Sequence, residues 1–171
     1  NKTIALDSTS TLAYFSRGLV KNNKGDINGA LADFNKVLSI EPTNALTLYN
    51  RALLKSTIGD LNSALADYNA VAALNPKNVL VFYNRGGVNY ELGAYKDAIA
   101  DFSKAIELYP DFANAYLNRS MAKRQLKDEK GAYLDYQTAQ KKINEYKSKL
   151  GDKSFSEFEK KKKKFNKLLA F

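Results

Sequence analysis

The chain has no histidine and no cysteine. That removes the commonest general base and metal ligand, the thiolate nucleophile and any disulfide framework. Proton transfer would have to come from Asp, Glu, Lys or Tyr, and the regular carboxylates are Asp33, Asp67, Asp101 and Asp135, spaced by 34 residues. Sixteen residues before each stands Arg17, Arg51, Arg85 or Arg119, and four residues after each arginine come Lys21, Lys55, Asn89 and Lys123. Residues four apart share a helix face, and a guanidinium fork matches a carboxylate in bidentate fashion. A constellation repeated four times reads as architecture, so structural ion pairs are expected for Arg17–Asp33, Arg51–Asp67, Arg85–Asp101 and Arg119–Asp135. No catalytic residue, metal site or cofactor is assigned. Gly18, Gly25, Gly29, Gly59, Gly86, Gly87 and Gly93 read as turn or close-packing positions and form no phosphate loop.

The same spacing runs through other residue types. Pro42, Pro76 and Pro110 are the only prolines and keep it. So do Ala30, Ala64, Ala98 and Ala132, the aromatic positions Phe34, Tyr68, Phe102 and Tyr136, and the triplets ending at the four arginines, such as Tyr49-Asn50-Arg51 and Tyr83-Asn84-Arg85. A fixed period of this length marks a stacked repeat. Each unit holds two helices, expected over about 11–24 and 28–40, 45–58 and 61–74, and 79–92 and 95–108. Gly25, Gly59 and Gly93 stand where a glycine ends the first helix. Each proline follows the second helix, which it cannot continue. In the third unit Ala98, Ile99, Phe102, Ala105, Ile106 and Leu108 make one broad apolar stripe.

The spacing and the position of alanine, aromatic and proline resemble the tetratricopeptide repeat, a 34-residue helix–turn–helix. The resemblance covers 11–146 and implies an all-α fold, a right-handed α-solenoid forming one structural domain. Its units are 11–44, 45–78, 79–112 and 113–146. NKTIALD at residues 1–7 parallels NKVLSIE one period later, so residues 1–10 are expected to be the end of an upstream repeat and the chain a fragment of a larger protein; the alternative is an N-terminal helical stub in a complete protein. Residues 147–171 form an extension and a basic capping helix. In the fourth unit Gln140, Lys142 and Asn144 replace the apolar and proline positions, as expected where no further unit packs. Its second helix is expected to run to Leu150 and break at Gly151. A capping box, Ser154 with Glu157, would start a last helix whose Phe155, Phe158, Phe165 and Leu169 close a hairpin.

The resemblance further implies a concave groove lined by the first helix of each unit, where family members bind extended peptides. In this sequence the groove positions include Phe15, Tyr49, Asn50, Leu53, Tyr83, Asn84, Tyr90, Asn118 and Met121. The asparagines form a row of amides that can hold a peptide backbone, and the tyrosines add apolar area with a polar tip. The groove lacks the basic residues of a carboxylate clamp, so an uncharged or mixed ligand is expected. The net charge of +9 is concentrated in 147–171, which hold nine lysines against Asp152, Glu157 and Glu159. The reading is a non-enzymatic protein-interaction module or scaffold whose partner is another protein or a peptide. No small-molecule substrate and no nucleic-acid recognition motif is read. The alternative is a rigid spacer whose basic helix, with Lys160–Lys164, contacts an acidic protein, an anionic membrane surface or nucleic acid. The N-terminal end is a place where copies of the chain could stack. With no apolar run long enough to span a bilayer, the chain is expected to be soluble, in the cytoplasm or the periplasm.

Overall fold

The computed structural model describes the backbone of residues 10–169 and the side chains of residues 10–149. Among the described residues the secondary structure is entirely helical. The helices are α1 (Thr11–Asn23), α2 (Ile27–Ile40), α3 (Ala45–Thr57), α4 (Leu61–Leu74), α5 (Val79–Glu91), α6 (Tyr95–Leu108), α7 (Ala113–Gln125) and α8 (Glu129–Leu169). The expected match of residues 1–7 to an upstream repeat lies outside the described residues. So do the side chains of the expected C-terminal apolar stripe and of Lys160–Lys164.

Local chemistry sets the helix ends. Asp26, Asn44, Asp60, Asn78 and Asp128 each accept a hydrogen bond from a backbone N–H in the first turn that follows, which satisfies donors the helix leaves open. The first helix of each of the first three repeats ends at a glycine with positive φ: Gly25 and Gly59 at 80° and Gly93 at 75°. The fourth repeat places Lys127 there, at φ 62°, in a conformation that disfavours a side chain.

The fold comprises two compact units, one ending at Pro76 and the other beginning at Lys77. In the first, Ala30, Phe34 and Leu54 are buried together, with Phe15, Leu19, Ile27 and Leu31 packed around them. In the second, Ala98, Phe102 and Ala122 form the equivalent cluster, packed by Tyr83, Tyr90 and Ile99. Ala30, Ala64, Ala98 and Ala132 are all fully buried, which explains why the repeat keeps the smallest apolar side chain at that position. Gly18 and Gly86 have the same cause: an added Cβ would lie 2.7 Å from the Phe34 ring and 2.8 Å from the Phe102 ring.

The expected break at Gly151 does not occur. α8 continues as one helix from Glu129 to Leu169, so residue 154 lies inside a helix and does not begin one. A glycine inside a helix costs only about 1 kcal/mol relative to alanine. No proline follows Pro110 to force a stop.

Candidate functional site

The charged constellation forms in all four repeats. Nε of Arg17, Arg51, Arg85 and Arg119 donates to Oδ2 of Asp33, Asp67, Asp101 and Asp135 at 2.8, 2.8, 2.9 and 2.8 Å. Nη2 of each donates to the other carboxylate oxygen. A second cation joins three of them: Lys21, Lys55 and Lys123 lie 2.9, 2.9 and 2.8 Å from the same carboxylates. In the third repeat Asn89 takes that place and donates to Asp101 at 2.9 Å. The guanidinium carbons of Arg17, Arg85 and Arg119 also sit 5.3, 5.3 and 5.5 Å from the ring centroids of Tyr14, Phe82 and Tyr116, within cation–π range.

The aspartates are 2 to 5% exposed. Burial pushes the carboxyls of Asp33, Asp67 and Asp135 up, but hydrogen bonds and charge from their arginine and lysine partners outweigh it and hold them below the usual carboxylate range. Such a group stays ionised, held by its cationic partners. Among the described residues no group of three or more acidic side chains is placed to hold a metal ion.

The uncharged residues lie elsewhere on the first helices. In the unit ending at Pro76, the half-buried Phe15 packs on Phe34 with ring centroids 5.8 Å apart. Tyr49 meets Tyr68 edge-on at 6.1 Å, and Leu53 is half-buried beside it. Leu12 and Leu46, at the start of α1 and α3, are 73% and 59% exposed. Asn50 Nδ2 donates to the carbonyl of Leu46 at 2.8 Å, so one amide hydrogen is committed to its own helix.

The unit beginning at Lys77 arranges its residues differently. Asn118 Nδ2 donates to Tyr83 Oη at 3.1 Å, joining α7 to α5. The Tyr83 ring packs at a tilt on Phe112 and Phe102, with centroids 4.6 and 5.9 Å apart. Burial pushes the Tyr83 hydroxyl above its ordinary value, against the lowering effect of the Asn118 hydrogen bond. Two turns along, Gln125 Nε2 donates to Tyr90 Oη at 3.3 Å, and Tyr90 meets Tyr95 edge-on at 5.4 Å. Asn84 is half-buried on the same helix, and Met121 is half-exposed. The three asparagines therefore do not act alike: Asn50 bonds its own helix and Asn118 a neighbouring tyrosine. Sequence reasoning singled out neither Gln125 nor Phe112. Gln125 had one signal, its place 35 residues from Tyr90, close to one period, and Phe112, 29 residues from Tyr83, had none.

Family models for the tetratricopeptide repeat match residues 49–113 and residues 12–44. The chain is a tetratricopeptide-repeat protein. Among solved structures it is similar to a crystal structure of MamA, with a TM-score of 0.83 and 21% identity over 86% of each chain. It is also similar to MamA 41-end from Desulfovibrio magneticus RS-1, with a TM-score of 0.80 and 20% identity over 83% of this chain and 80% of that one. The first repeat domain of Spaghetti (RPAP3), bound to the HSP90 peptide SRMEEVD, matches at a TM-score of 0.66 and 23% identity, over 71% of this chain and 96% of that chain. No curated protein sequence matches. These likenesses establish the tetratricopeptide α-solenoid fold, a fold of protein-interaction modules. No helix among the described residues is long and apolar enough to cross a membrane.

Proposed function

We propose that this tetratricopeptide-repeat protein is a non-enzymatic interaction module that binds an extended, uncharged peptide segment on the exposed faces of its first helices. The observation that carries the reading is the exposed, uncharged face itself. On α1 and α3 it presents the exposed Leu12 and Leu46 beside the half-buried Phe15, Tyr49, Asn50 and Leu53, with no ionic side chain among them. Every arginine of the four repeats' first helices that the repeat places at its seventh position is spent on an aspartate. The peptide held by the Spaghetti domain supports the class of ligand, and its two glutamates and one aspartate mark a difference. A neutral face gives an acidic tail no counter-charge, whereas apolar anchors would gain about 25 cal/mol per Å² buried.

The test is an array of peptides probed with the wild-type chain and with Leu12→Glu/Leu46→Glu. Both leucines are exposed, so the variant folds. Uncharged apolar peptides should bind the wild type, bind the variant at least tenfold more weakly, and change little with salt. Peptides such as SRMEEVD should not bind. Capture of only acidic peptides, weakened by salt, would instead favour the spacer reading, which the uninterrupted run of α8 to Leu169 supports.

A further inference from the structure

Two neighbouring glycines in α5 differ in their surroundings. Gly86 is enforced by the Phe102 ring, whereas a Cβ on Gly87 would meet nothing within 4 Å. Among the described residues no contact requires glycine at 87, and the other repeats fill that position with Leu19, Leu53 and Met121. The missing side chain leaves a notch in the face of α5, and its borders are built. Tyr83 and Tyr90 stand one turn before Gly87 and one turn after it on the same helix face. Each is tied to α7, Tyr83 by Asn118 and Tyr90 by Gln125. Met121, 50% exposed, lies between those two α7 residues in sequence. The result is a slot with two tyrosine–amide rungs, a glycine floor between them and a flexible thioether beside it.

Resting on the peptide-binding reading above, we infer that this slot takes a proline-rich, uncharged segment in the polyproline II conformation. Each rung hydroxyl already accepts from an amide, so its own hydrogen is left to donate. The slot therefore offers hydroxyl donors and the uncovered parts of two half-buried tyrosine rings, and a proline-rich chain offers carbonyls with few competing N–H groups and flat apolar rings. Spacing agrees. Tyr83 and Tyr90 are seven residues apart, which is about 10 Å along the helix. Polyproline II presents the same side every three residues, about 9.3 Å, whereas a β-strand does so about every 6.7 Å. Glu91 and Arg124, of opposite sign, are the only ionic residues among the groove positions of α5 and α7, so the slot carries no net charge to select a charged ligand.

The test titrates two fluorescein-labelled, uncharged peptides of about ten residues into the full chain and reads anisotropy. One repeats Pro-Pro-Leu, and in the other alanine replaces every proline. The proline peptide should bind at least tenfold more tightly. Gly87→Leu fills the notch with a better helix former, so it should lose at least tenfold in binding while melting at or above the wild-type temperature. Tyr90→Phe, which removes one donor, should weaken binding severalfold. Equal binding of the two peptides would overturn the polyproline assignment and leave the broader reading standing. Undiminished binding by Gly87→Leu would remove the slot as the site. No binding of either peptide would overturn this inference alone, because the leucine-face array tests the broader reading separately.

Discussion

Arg51 donates to Asp67 through two nitrogens, Nε to Oδ2 at 2.8 Å and Nη2 to Oδ1 at 2.6 Å. Its third nitrogen, Nη1, donates to Asn35 Oδ1 at 2.7 Å, so one side chain on α3 ties α4 and α2 together. Arg119 does the same, joining Asp135 on α8 and Ser103 on α6, the latter at 3.0 Å. A lysine has no planar fork and cannot make this set of bonds. Asp67→Ala leaves Arg51 and Lys55 without their carboxylate in a mostly buried place. It should cost about 3 kcal/mol, read from the urea midpoint. A loss below about 1 kcal/mol would show that solvent screens the pair.

Acid should unfold this protein through the same aspartates. Asp33, Asp67 and Asp135 titrate below the ordinary carboxylate value when folded. The unfolded chain therefore binds more protons in that range, and stability rises with pH there. The contribution is complete above about pH 5 and is lost as pH falls below about 4 and through the lowered folded values. With no histidine, the melting temperature should be flat from about pH 5 to pH 8. Asp67→Asn should start from a lower plateau and fall less steeply in acid, which thermal melts across pH would show.

Lys127 is the one non-glycine residue with positive φ among the described residues. It holds the position that Gly25, Gly59 and Gly93 occupy in the other repeats. Lys127→Gly should stabilise the chain by about 1 kcal/mol by relieving the left-handed conformation. Gly59→Lys should cost a similar amount, and chemical denaturation of the two variants checks the pair.

Thr47 is fully buried, and its hydroxyl finds no hydrogen-bond partner among the described residues. One repeat later the same position holds Val81, also fully buried. Thr47→Val keeps the shape and removes the stranded polar group, so it should gain about 1 kcal/mol. An unchanged melting temperature would indicate that water already satisfies the hydroxyl.

Much of this was legible in the chain itself because a repeat protein is built from short-range parts. Asp33 and Arg17 are separated by one helical hairpin, and their types recur often enough to reveal the pairing without coordinates. Helices α4 and α6 match their expected limits, because Asp60 or the turn glycine starts them and Pro76 or Pro110 lies just beyond. The C-terminal region was harder to read. Gly151 and the Ser154–Glu157 pair carry the local signs of a break and a cap, yet a glycine can lie inside a helix at modest cost. Whether a helix turns back depends on what it would pack against, and no local signal encodes that.

By itself the sequence determined the period, the family, the helical hairpins and the ion pairs that lock them, since each depends on residues within one repeat or its neighbour. Only the tertiary structure decided how equivalent residues are used. Asn50 turns to its own backbone, whereas Asn118 reaches Tyr83 across two helices. Gly86 is pressed by a ring, whereas Gly87 opens to space. The reason lies in the neighbouring helix: 35 residues before Asn118 stands Tyr83, whose hydroxyl accepts its amide, whereas the same place before Asn50 holds Phe15, which has no hydroxyl, and only the packed helices show that these two positions meet.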